Sequence, residues 1–486
     1  MSNLRSFCIL VIFSFLSQPV SAQATVAERV AAFAQDPELV GAVLSLDVID
    51  VATGNRIAAV NPVTAAIPAS TQKLLTTAVA LDVLGPDHRF TTRLMAVGEI
   101  RDGVLQGDLY LIGGGDPSLG SPYLDGVLGL EAILGRWTEA VRTAGITRVN
   151  GRVVGDASYF ATDGAAPGWP WSDIGNYYGA GAFGLNIHEN FYFLDFLQRN
   201  REGATPPIQK TRPTVPGLSL TNELRSGPRG SGDQAYIYGA PFNFENYVRG
   251  TIPVGSGRFT IKGALPDPPL FAAQALCRRL EAAGIPVALA AETDRSLGGG
   301  RFRPGKTLDV YESPPLATLV DRTNLRSNNL YAEALLREIN KARGAEPHAL
   351  SSTAVITEWL SERGLPITAV RLEDGSGLAT RNFFPAMTMT SFLRTQADNA
   401  RWRRSIPVAG RTGSMRGFLR GTAAEGRLAA KSGSVGGVRA YAGYATRADG
   451  TELAFALMVN NFTIESKDVR SKLHTLMVQL CSAPLR

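Results

Sequence analysis

The sequence predicts an α/β fold in which both ends of the chain build one domain and the middle of the chain is a β-rich insertion. Near the N-terminus, residues 25–35 have a helical pattern, and the alternating segments 40–51 and 56–60 are separated by a turn, as in a β-hairpin. An apolar helical run follows at 71–81. The C-terminal region ends in two strand-like segments and a helix, at 428–447, 452–461 and 467–480.

The middle of the chain has short strand-like segments between Gly- and Pro-rich turns, interrupted by helical runs at 130–144 and 270–283. Long helical patterns return after residue 315. We therefore predict four parts: a signal segment 1–22, a first domain part 23–90, an inserted β-rich region 91–305 and a second domain part 306–486.

Composition argues against several classes of protein. The chain has 486 residues, 44% of them apolar and 19% charged, which is typical of a globular protein of two or three domains. Its four histidines have no metal-ligand spacing, and no CxxC, HExxH or G-x-S-x-G motif occurs. Common zinc sites and nucleophile-elbow hydrolases are therefore disfavoured, and we predict neither a metal nor another cofactor.

The first 22 residues have the pattern of a secretory signal peptide. Arg5 precedes an apolar run at 7–16, and the small residues Val20 and Ala22 precede a cleavage site at Gln23. The run is too short for a membrane span, which needs about 20 apolar residues, and no later segment fits one. We expect an exported protein, periplasmic or associated with the cell wall, and hence no nucleic-acid partner despite the net charge of +6.

Export also affects the interpretation of the cysteines. Cys8 leaves with the signal peptide, and Cys277 and Cys481 remain in a compartment that permits disulfides. Both lie in helix-like segments. The sequence is compatible with two buried free thiols and with a disulfide between them.

A Ser-x-x-Lys motif is the first candidate for chemistry. The chain has eight lysines, and only Lys73 has a serine, Ser70, three positions before it. On a helix, this spacing places the two side chains on one face, roughly 5–6 Å apart at Cβ. The helix N-terminus favours a developing alkoxide on Ser70, and burial of Lys73 in an apolar helix lowers its pKa and makes it a base. The alternative interpretation is an N-capping serine followed by a surface lysine.

Two further motifs follow along the chain. Ser327-Asn-Asn329 lies at a predicted helix start, where a hydroxyl and an amide can relay a proton and hold a substrate amide, or where the serine caps the helix. The pattern Lys/Arg-Ser/Thr-Gly occurs at 225–227, 411–413 and 431–433. Only the third match lies on a predicted strand with small residues, where a substrate backbone can approach closely.

The order Ser-x-x-Lys, Ser-x-Asn and Lys-Ser-Gly in an exported chain is that of the penicillin-recognising serine enzymes. More closely, the chain resembles the D-alanyl-D-alanine carboxypeptidase/endopeptidase family, the class C low-molecular-mass penicillin-binding proteins. Ser70 and Ser327 are 257 positions apart, as in this family, which carries two extra domains there. Further stretches that resemble the family lie at 68–76, 115–119, 166–171, 373–378 and 406–410.

The resemblance implies a penicillin-binding, β-lactamase-like transpeptidase domain, an antiparallel sheet flanked by helices, with a β-rich two-domain insertion. The catalytic residues that it implies are Ser70, Lys73, Ser327, Asn329 and Lys431. The substrate-binding residues that it implies are Ser432, Gly433, Ser434, Asp156, Phe160 and Arg381. The serine of the first motif attacks the carbonyl of the penultimate D-Ala, its lysine takes the proton, and water later hydrolyses the acyl-enzyme.

The other motifs complete that implied mechanism. Ser327 and Asn329 pass the proton to the leaving amine and hold the acyl chain, while Lys431 and Ser432 bind the terminal carboxylate. The oxyanion hole consists of the N–H groups of the nucleophile and of Ser434. β-Lactams trap the same serine because they mimic D-Ala-D-Ala.

In members of the family that act on diaminopimelate peptides, a side pocket holds that residue, and the third residue of the stem peptide for this chain stays open. The resemblance assigns Asp156, Phe160 and Arg381 to this pocket. The arginine is shifted by one position from the commoner Ser-Arg pattern, and serine replaces the usual threonine after Lys431.

Two other functions are weighed against the DD-peptidase. One is an esterase or β-lactamase built on the same site, which the long insertion argues against. The other is a cell-wall scaffold with a degenerate site, which the intact motifs argue against. The expected partners are peptidoglycan peptides that end in D-Ala-D-Ala, with β-lactams as inhibitors. The preference for carboxypeptidase or endopeptidase action and the oligomeric state, including a homodimer, stay open.

Overall fold

The computed structural model describes residues 23–299, 304–346 and 352–485, so the predicted signal peptide lies outside the described residues. The helices are α1 (Val26–Ala34), α2 (Lys73–Leu84), α3 (Leu130–Thr143), α4 (Trp171–Ile174), α5 (Pro268–Ala282), α6 (Leu316–Arg326), α7 (Asn329–Ala342), α8 (Ala354–Glu362), α9 (Ala386–Thr395), α10 (Ala400–Arg403) and α11 (Ser466–Ser482). Within these described ranges, no helix has both the length and the apolarity that a bilayer crossing needs.

The strands of the first half are β1 (Val43–Asp50), β2 (Arg56–Val60), β3 (Ala65–Ala66), β4 (Thr91–Arg101), β5 (Val104–Ile112), β6 (Arg148–Val149), β7 (Val153–Asp156), β8 (Phe191–Leu197), β9 (Ile208–Arg212), β10 (Ser219–Asn222) and β11 (Arg225–Gly227). Those of the second half are β12 (Gln234–Tyr238), β13 (Glu245–Pro253), β14 (Arg258–Ala264), β15 (Glu292–Thr293), β16 (Lys306–Glu312), β17 (Phe384–Pro385), β18 (Leu428–Val435), β19 (Val438–Thr446) and β20 (Glu452–Asn460).

A five-stranded antiparallel sheet joins the two ends of the chain, with the strand order β18-β19-β20-β1-β2. Alternate side chains of β20 enter two separate apolar cores: Ala454, Ala456 and Met458 face one core, and Phe455 and Leu457 face the other. The first core contains α2 and α7, and the second contains α1 and α11. Helices thus cover both faces of the sheet, which confirms the predicted fold class.

The inserted region contains three further sheets. Strands β15-β7-β5-β4-β16, with β6 beside β5, form a six-stranded sheet on which α5 packs. Strands β14-β8-β9 form a second sheet, and β10, β11 and β12 flank β13 in a third. One continuous apolar core joins them, from Trp137 on α3 to Leu194 on β8 and Val248 on β13.

The strand β16 lies beyond the predicted end of the insertion. It pairs antiparallel with β4, from Lys306 opposite Ala96 to Glu312 opposite Thr91. The predicted boundary at 305 stays a prediction. The pairing supports our proposal that the insertion extends to residue 312.

A buried carboxylate connects the insertion to the chain ends. Glu189 accepts hydrogen bonds from Ser121 Oγ at 2.7 Å, Arg322 Nη2 at 3.1 Å, Asn328 Nδ2 at 3.0 Å and the Tyr331 hydroxyl at 3.2 Å. Three of these donors belong to α6, to α7 or to the residues between them. The insertion therefore fixes the junction of these two helices, where the Ser-x-Asn motif lies.

The segment that carries Glu189 has an unusual backbone. His188, Glu189 and Asn190 have φ values of 55°, 50° and 54°, in the left-handed region that non-glycine residues rarely adopt. The side chain of Asn190 holds this segment, because it donates to Gly181 O at 2.9 Å and accepts from Ile187 N at 3.0 Å. Such a conformation costs about 1–3 kcal/mol per residue and persists only where its surroundings impose it.

Both cysteines of the described chain are free, so the disulfide that the sequence left open is not formed. Cys277 lies on α5 at the edge of the core of the insertion, and Cys481 lies on α11 in the second core of the other domain. Because they pack into different cores, the two sulfur atoms cannot meet without unfolding.

We expect non-reducing peptide mapping to find both thiols alkylated. Cys277 is half-buried and should react slowly with iodoacetamide in the native protein, because burial raises its pKa to about 11. Cys481 is buried and should react only after unfolding. A peptide that links residues 277 and 481 would contradict the structure.

Candidate active site

The candidate nucleophile lies in a tight turn before α2. A 3-10 helix over Ala69–Gln72 leads into α2, which begins at Lys73. Ala69 has a left-handed backbone with φ 46°, and Thr71 Oγ1 donates to Pro68 O at 2.7 Å. Lys73 Nζ lies 2.9 Å from Ser70 Oγ, so the two side chains meet on one face of the helix, as their three-residue spacing predicts.

Lys73 has no contact with solvent. The helix α2 is buried on every side from Lys73 to Leu81, as its apolar sequence predicts. The amine donates a second hydrogen bond to Ser376 O at 2.6 Å. Burial lowers the pKa of Lys73 to about 7, although the negative charges of Asp374 and Glu333 oppose the shift. A large part of the amine is therefore neutral at pH 7, as a base requires.

Asp374 organises the loop above this lysine. Its carboxylate accepts hydrogen bonds from the backbone N–H groups of Gly377 at 2.7 Å, Leu378 at 2.9 Å and Ala379 at 2.8 Å. Trp169 Nε1, from the insertion, donates to it at 2.8 Å. The Asp-Gly-Ser-Gly segment is thus a tight turn, as the sequence indicates. The turn also positions the Ser376 carbonyl over the Lys73 amine.

Glu333 is a buried carboxylate that the sequence reasoning missed. It lies on α7 and accepts from the N–H groups of Gly375 at 3.1 Å and Ser376 at 2.8 Å. Burial, with the nearby Asp374 charge, raises its pKa to about 7. It lies one helical turn after Asn329, in a helix that is buried on every side from Asn329 to Asn340, and no local pattern distinguishes it from an acidic residue on an exposed helix face.

The second and third motifs meet across the cleft. Lys431 Nζ, on β18, donates to Ser327 Oγ at 2.8 Å and to Ser432 O at 2.8 Å. Ser327 ends α6 in a left-handed conformation with φ 57°. The residue that caps α7 is Asn328, whose side chain accepts from Tyr331 N, so the hydroxyl of Ser327 is free to face Lys431. Ser327 is the C-cap of α6, and its interpretation as the N-cap of α7 is therefore wrong.

Lys431 is buried as completely as Lys73. Burial, and then the nearby Lys73, lower the pKa of Lys431 well below its ordinary value. Asn329, the last residue of the Ser-x-Asn motif, donates to Tyr178 O at 2.7 Å. The insertion therefore holds the amide group that the resemblance assigns to substrate binding.

A glycine contact brings β18 against the nucleophile. A Cβ atom on Gly433 would lie 2.6 Å from Pro68 O and 3.1 Å from Ser70 N, so only glycine allows this approach.

Ser432 Oγ lies 3.2 Å from Ser414 Oγ, which sequence reasoning missed, although Ser414 directly follows the second Lys/Arg-Ser/Thr-Gly match. The first match, Arg225–Gly227, is strand β11 in the insertion.

A cavity of about 300 Å³ opens where these motifs meet. Its walls include Ser70, Ser327, Ser432, Gly433 and Ser434. A nucleophilic hydroxyl beside a desolvated amine, a second serine–lysine pair and strand N–H groups suit acyl transfer through a covalent intermediate. In the described ranges, no group of three or more His, Cys, Asp or Glu side chains could hold a metal ion.

Asp156 and Phe160, two of the three residues predicted for a side pocket, line neighbouring cavities that share Ser158 and Asp294, and Arg381 lines neither of these cavities. Asp156 lines a second cavity with Tyr159 and Lys341. Phe160 is buried and lines a third cavity, and Arg381 is exposed and pairs with Glu373 at 3.4 Å. No hydrogen bond or ion pair joins the three in the described part of the chain, and the side pocket stays a prediction.

Comparisons with known proteins agree with this geometry. The model of the D-Ala-D-Ala carboxypeptidase 3 (S13) family matches residues 26–482. A D-alanyl-D-alanine carboxypeptidase of Actinomadura sp. is 30% identical over 453 residues, which cover 89% of this chain and 80% of that protein. The D-alanyl-D-alanine carboxypeptidase DacB of Haemophilus influenzae is 26% identical, with 86% of each chain covered.

A solved structure shares the fold. The crystal structure of penicillin binding protein 4 from Haemophilus influenzae superposes with a TM-score of 0.76 at 24% identity, and covers 93% of this chain and 98% of that chain. This likeness confirms the predicted penicillin-binding, β-lactamase-like fold.

We predict that Gly433→Ala reduces the rate of acylation by benzylpenicillin about 100-fold, because the new methyl group displaces β18 from the nucleophile by a few tenths of an ångström or more. The matched control is Gly436→Ala in the same hairpin, where a Cβ atom meets nothing within 4 Å. Stopped-flow acylation and thermal melting of both variants check the prediction. Equal rates in the two variants would contradict it.

Proposed function

This chain belongs to the D-Ala-D-Ala carboxypeptidase 3 (S13) family, and from this premise we propose that it is a serine D-alanyl-D-alanine carboxypeptidase that forms an acyl-enzyme on Ser70. The observation that carries the proposal is the 2.9 Å contact between Ser70 Oγ and the fully buried amine of Lys73. The proposed substrates are peptidoglycan stem peptides that end in D-Ala-D-Ala.

Acylation begins with the first serine–lysine pair. The neutral amine of Lys73 takes the proton of Ser70, and Oγ attacks the carbonyl carbon of the penultimate D-Ala. The backbone N–H groups of Ser70 and Ser434 bind the oxyanion that develops. The close packing of Gly433 on the segment of Ser70 supports this arrangement, because Ser70 and Ser434 line the same cavity.

The second serine–lysine pair, Ser327 and Lys431, protonates the leaving amine. The carbon–nitrogen bond breaks as the leaving amine receives a proton from Ser327, and Ser327 recovers a proton through Lys431 or Lys73. The 2.8 Å contact between Ser327 and Lys431 supports this relay. Asn329 binds the amide of the acyl chain, the hydroxyl of Ser432 binds the terminal carboxylate, and water then hydrolyses the ester.

Endopeptidase action follows from the same chemistry when the leaving amine belongs to a cross-linked peptide instead of free D-Ala. The proposal therefore includes DD-endopeptidase activity and inhibition by β-lactams. We further propose that Asp156, Phe160 and Arg381 act in recognition of the stem peptide. A substrate in the cell wall points to an exported protein, and we place it in the periplasm.

We predict that wild-type protein exposed briefly to benzylpenicillin gains the mass of one drug molecule, and that Ser70→Ala does not. Loss of the hydroxyl that lies 2.9 Å from Lys73 Nζ should also abolish D-Ala release from a D-Ala-D-Ala peptide. Ser361→Ala, which removes an exposed hydroxyl on α8, is the control and should behave as wild type. Intact-protein mass spectrometry measures the adduct.

Other outcomes select the alternatives. An adduct that persists in Ser70→Ala contradicts the assignment of the nucleophile. An unmodified wild type with intact drug favours the scaffold, and an unmodified wild type with hydrolysed drug favours the β-lactamase.

A further inference from the structure

Two arginines without acidic partners line the cavity beside Ser70. Arg439 lies on β19 and Arg470 on α11, and both line the cavity with Ser327, Ser432 and Ser434. Neither forms an ion pair in the described part of the chain. Arg439 Nε is buried and has no hydrogen-bond partner among the described residues. An unpaired buried donor of this kind needs an acceptor.

Strand register explains why Arg439 faces the cavity. In the β18–β19 hairpin, Arg439 is opposite Ser434, and Tyr441 is opposite Ser432. Opposite residues of an antiparallel pair share one face of the sheet. The guanidinium therefore lies on the same face as the two serine side chains of the Lys-Ser-Gly-Ser segment.

Among the residues that the structure describes, no carboxylate forms an ion pair with Arg439. Tyr441 hydroxyl lies 3.0 Å from His474 Nε2, and the imidazole packs between the rings of Tyr441 and Phe418. Burial and the two nearby arginines lower the pKa of His474 to about 4, so this side chain is neutral at pH 7. Arg439 and Arg470 therefore give this side of the cavity a positive charge.

Lys431 is poorly placed to offer a positive charge to a ligand in the cavity. Its amine is fully buried and already donates to Ser327 and Ser432. A guanidinium keeps its proton when it is partly buried, and its planar fork matches a carboxylate with two parallel hydrogen bonds.

We propose that Arg439, supported by Arg470, binds the α-carboxylate of the residue that leaves, and that this contact selects substrates with a free carboxylate beside the scissile amide. The inference deepens the proposed carboxypeptidase function and rests on it. Arg439, instead of Lys431, then makes the main electrostatic contact with the terminal carboxylate, and Ser432 donates a hydrogen bond to it.

The test compares two substrates, an N-acylated tripeptide that ends in D-Ala-D-Ala and the same peptide with a C-terminal carboxamide. Arg439→Gln should lower kcat/KM on the acid by roughly 10- to 100-fold, the usual effect of one charge-assisted hydrogen bond, and leave the amide unchanged. Arg439→Lys should recover part of the loss. Arg229→Gln, in an exposed loop of the insertion, removes the same charge and should change neither substrate.

Two outcomes would overturn the inference while the proposed function stands. Equal losses on the acid and the amide would make Arg439 a structural residue, and no loss on either would remove it from the substrate. Failure of the proposed function is distinguishable, because wild-type protein would then release no D-Ala from the acid. Thermal melting of each variant shows whether it is folded.

Discussion

The burial of one amine is the constraint on which the rest of the site depends. Lys73 lies within hydrogen-bond distance of Ser70 and has no access to water. Burial alone can lower the pKa of a lysine by up to about 3–5 units, and it does so here without a histidine. Asp374 and Glu333 limit the shift, so that the pKa falls to about 7 and not lower. The two carboxylates also build the loop whose Ser376 carbonyl accepts from the amine.

The insertion is part of this arrangement and not an appended domain. Trp169 donates to Asp374, and the Tyr178 carbonyl accepts from Asn329. Glu189 binds the junction of α6 and α7, where Ser327 turns toward Lys431. The three motifs that we propose as catalytic lie on the domain built by the chain ends, but the contacts that orient two of them come from the inserted residues.

Much of the site could be predicted from sequence because its chemistry lies in short motifs. The Ser70–Lys73 contact follows from three-residue spacing, and the position of Lys431 follows from the small residues on either side of it. The meeting of Ser327 with Lys431 could be inferred only from the resemblance, since 104 residues separate them.

The remaining features depend on tertiary contacts that no local pattern encodes. Glu333 looks like any acidic residue on a helix until the loop of Asp374 packs over it. Arg439 gains its significance from strand register and from the absence of a neighbouring acid in the described ranges. The pairing of β16 with β4 likewise joins strands on the two sides of the predicted boundary at 305.

The pH dependence of acylation tests the central claim most directly. Because the base must be deprotonated, the rate of acylation by benzylpenicillin should fall as pH decreases through about 7, the pKa of Lys73, and reach a plateau above it. Glu333→Gln removes a negative charge that raises this pKa, so the midpoint should move to lower pH while the profile persists. A profile that is flat from pH 5 to 9, or one that Glu333→Gln abolishes, would contradict Lys73 as the base.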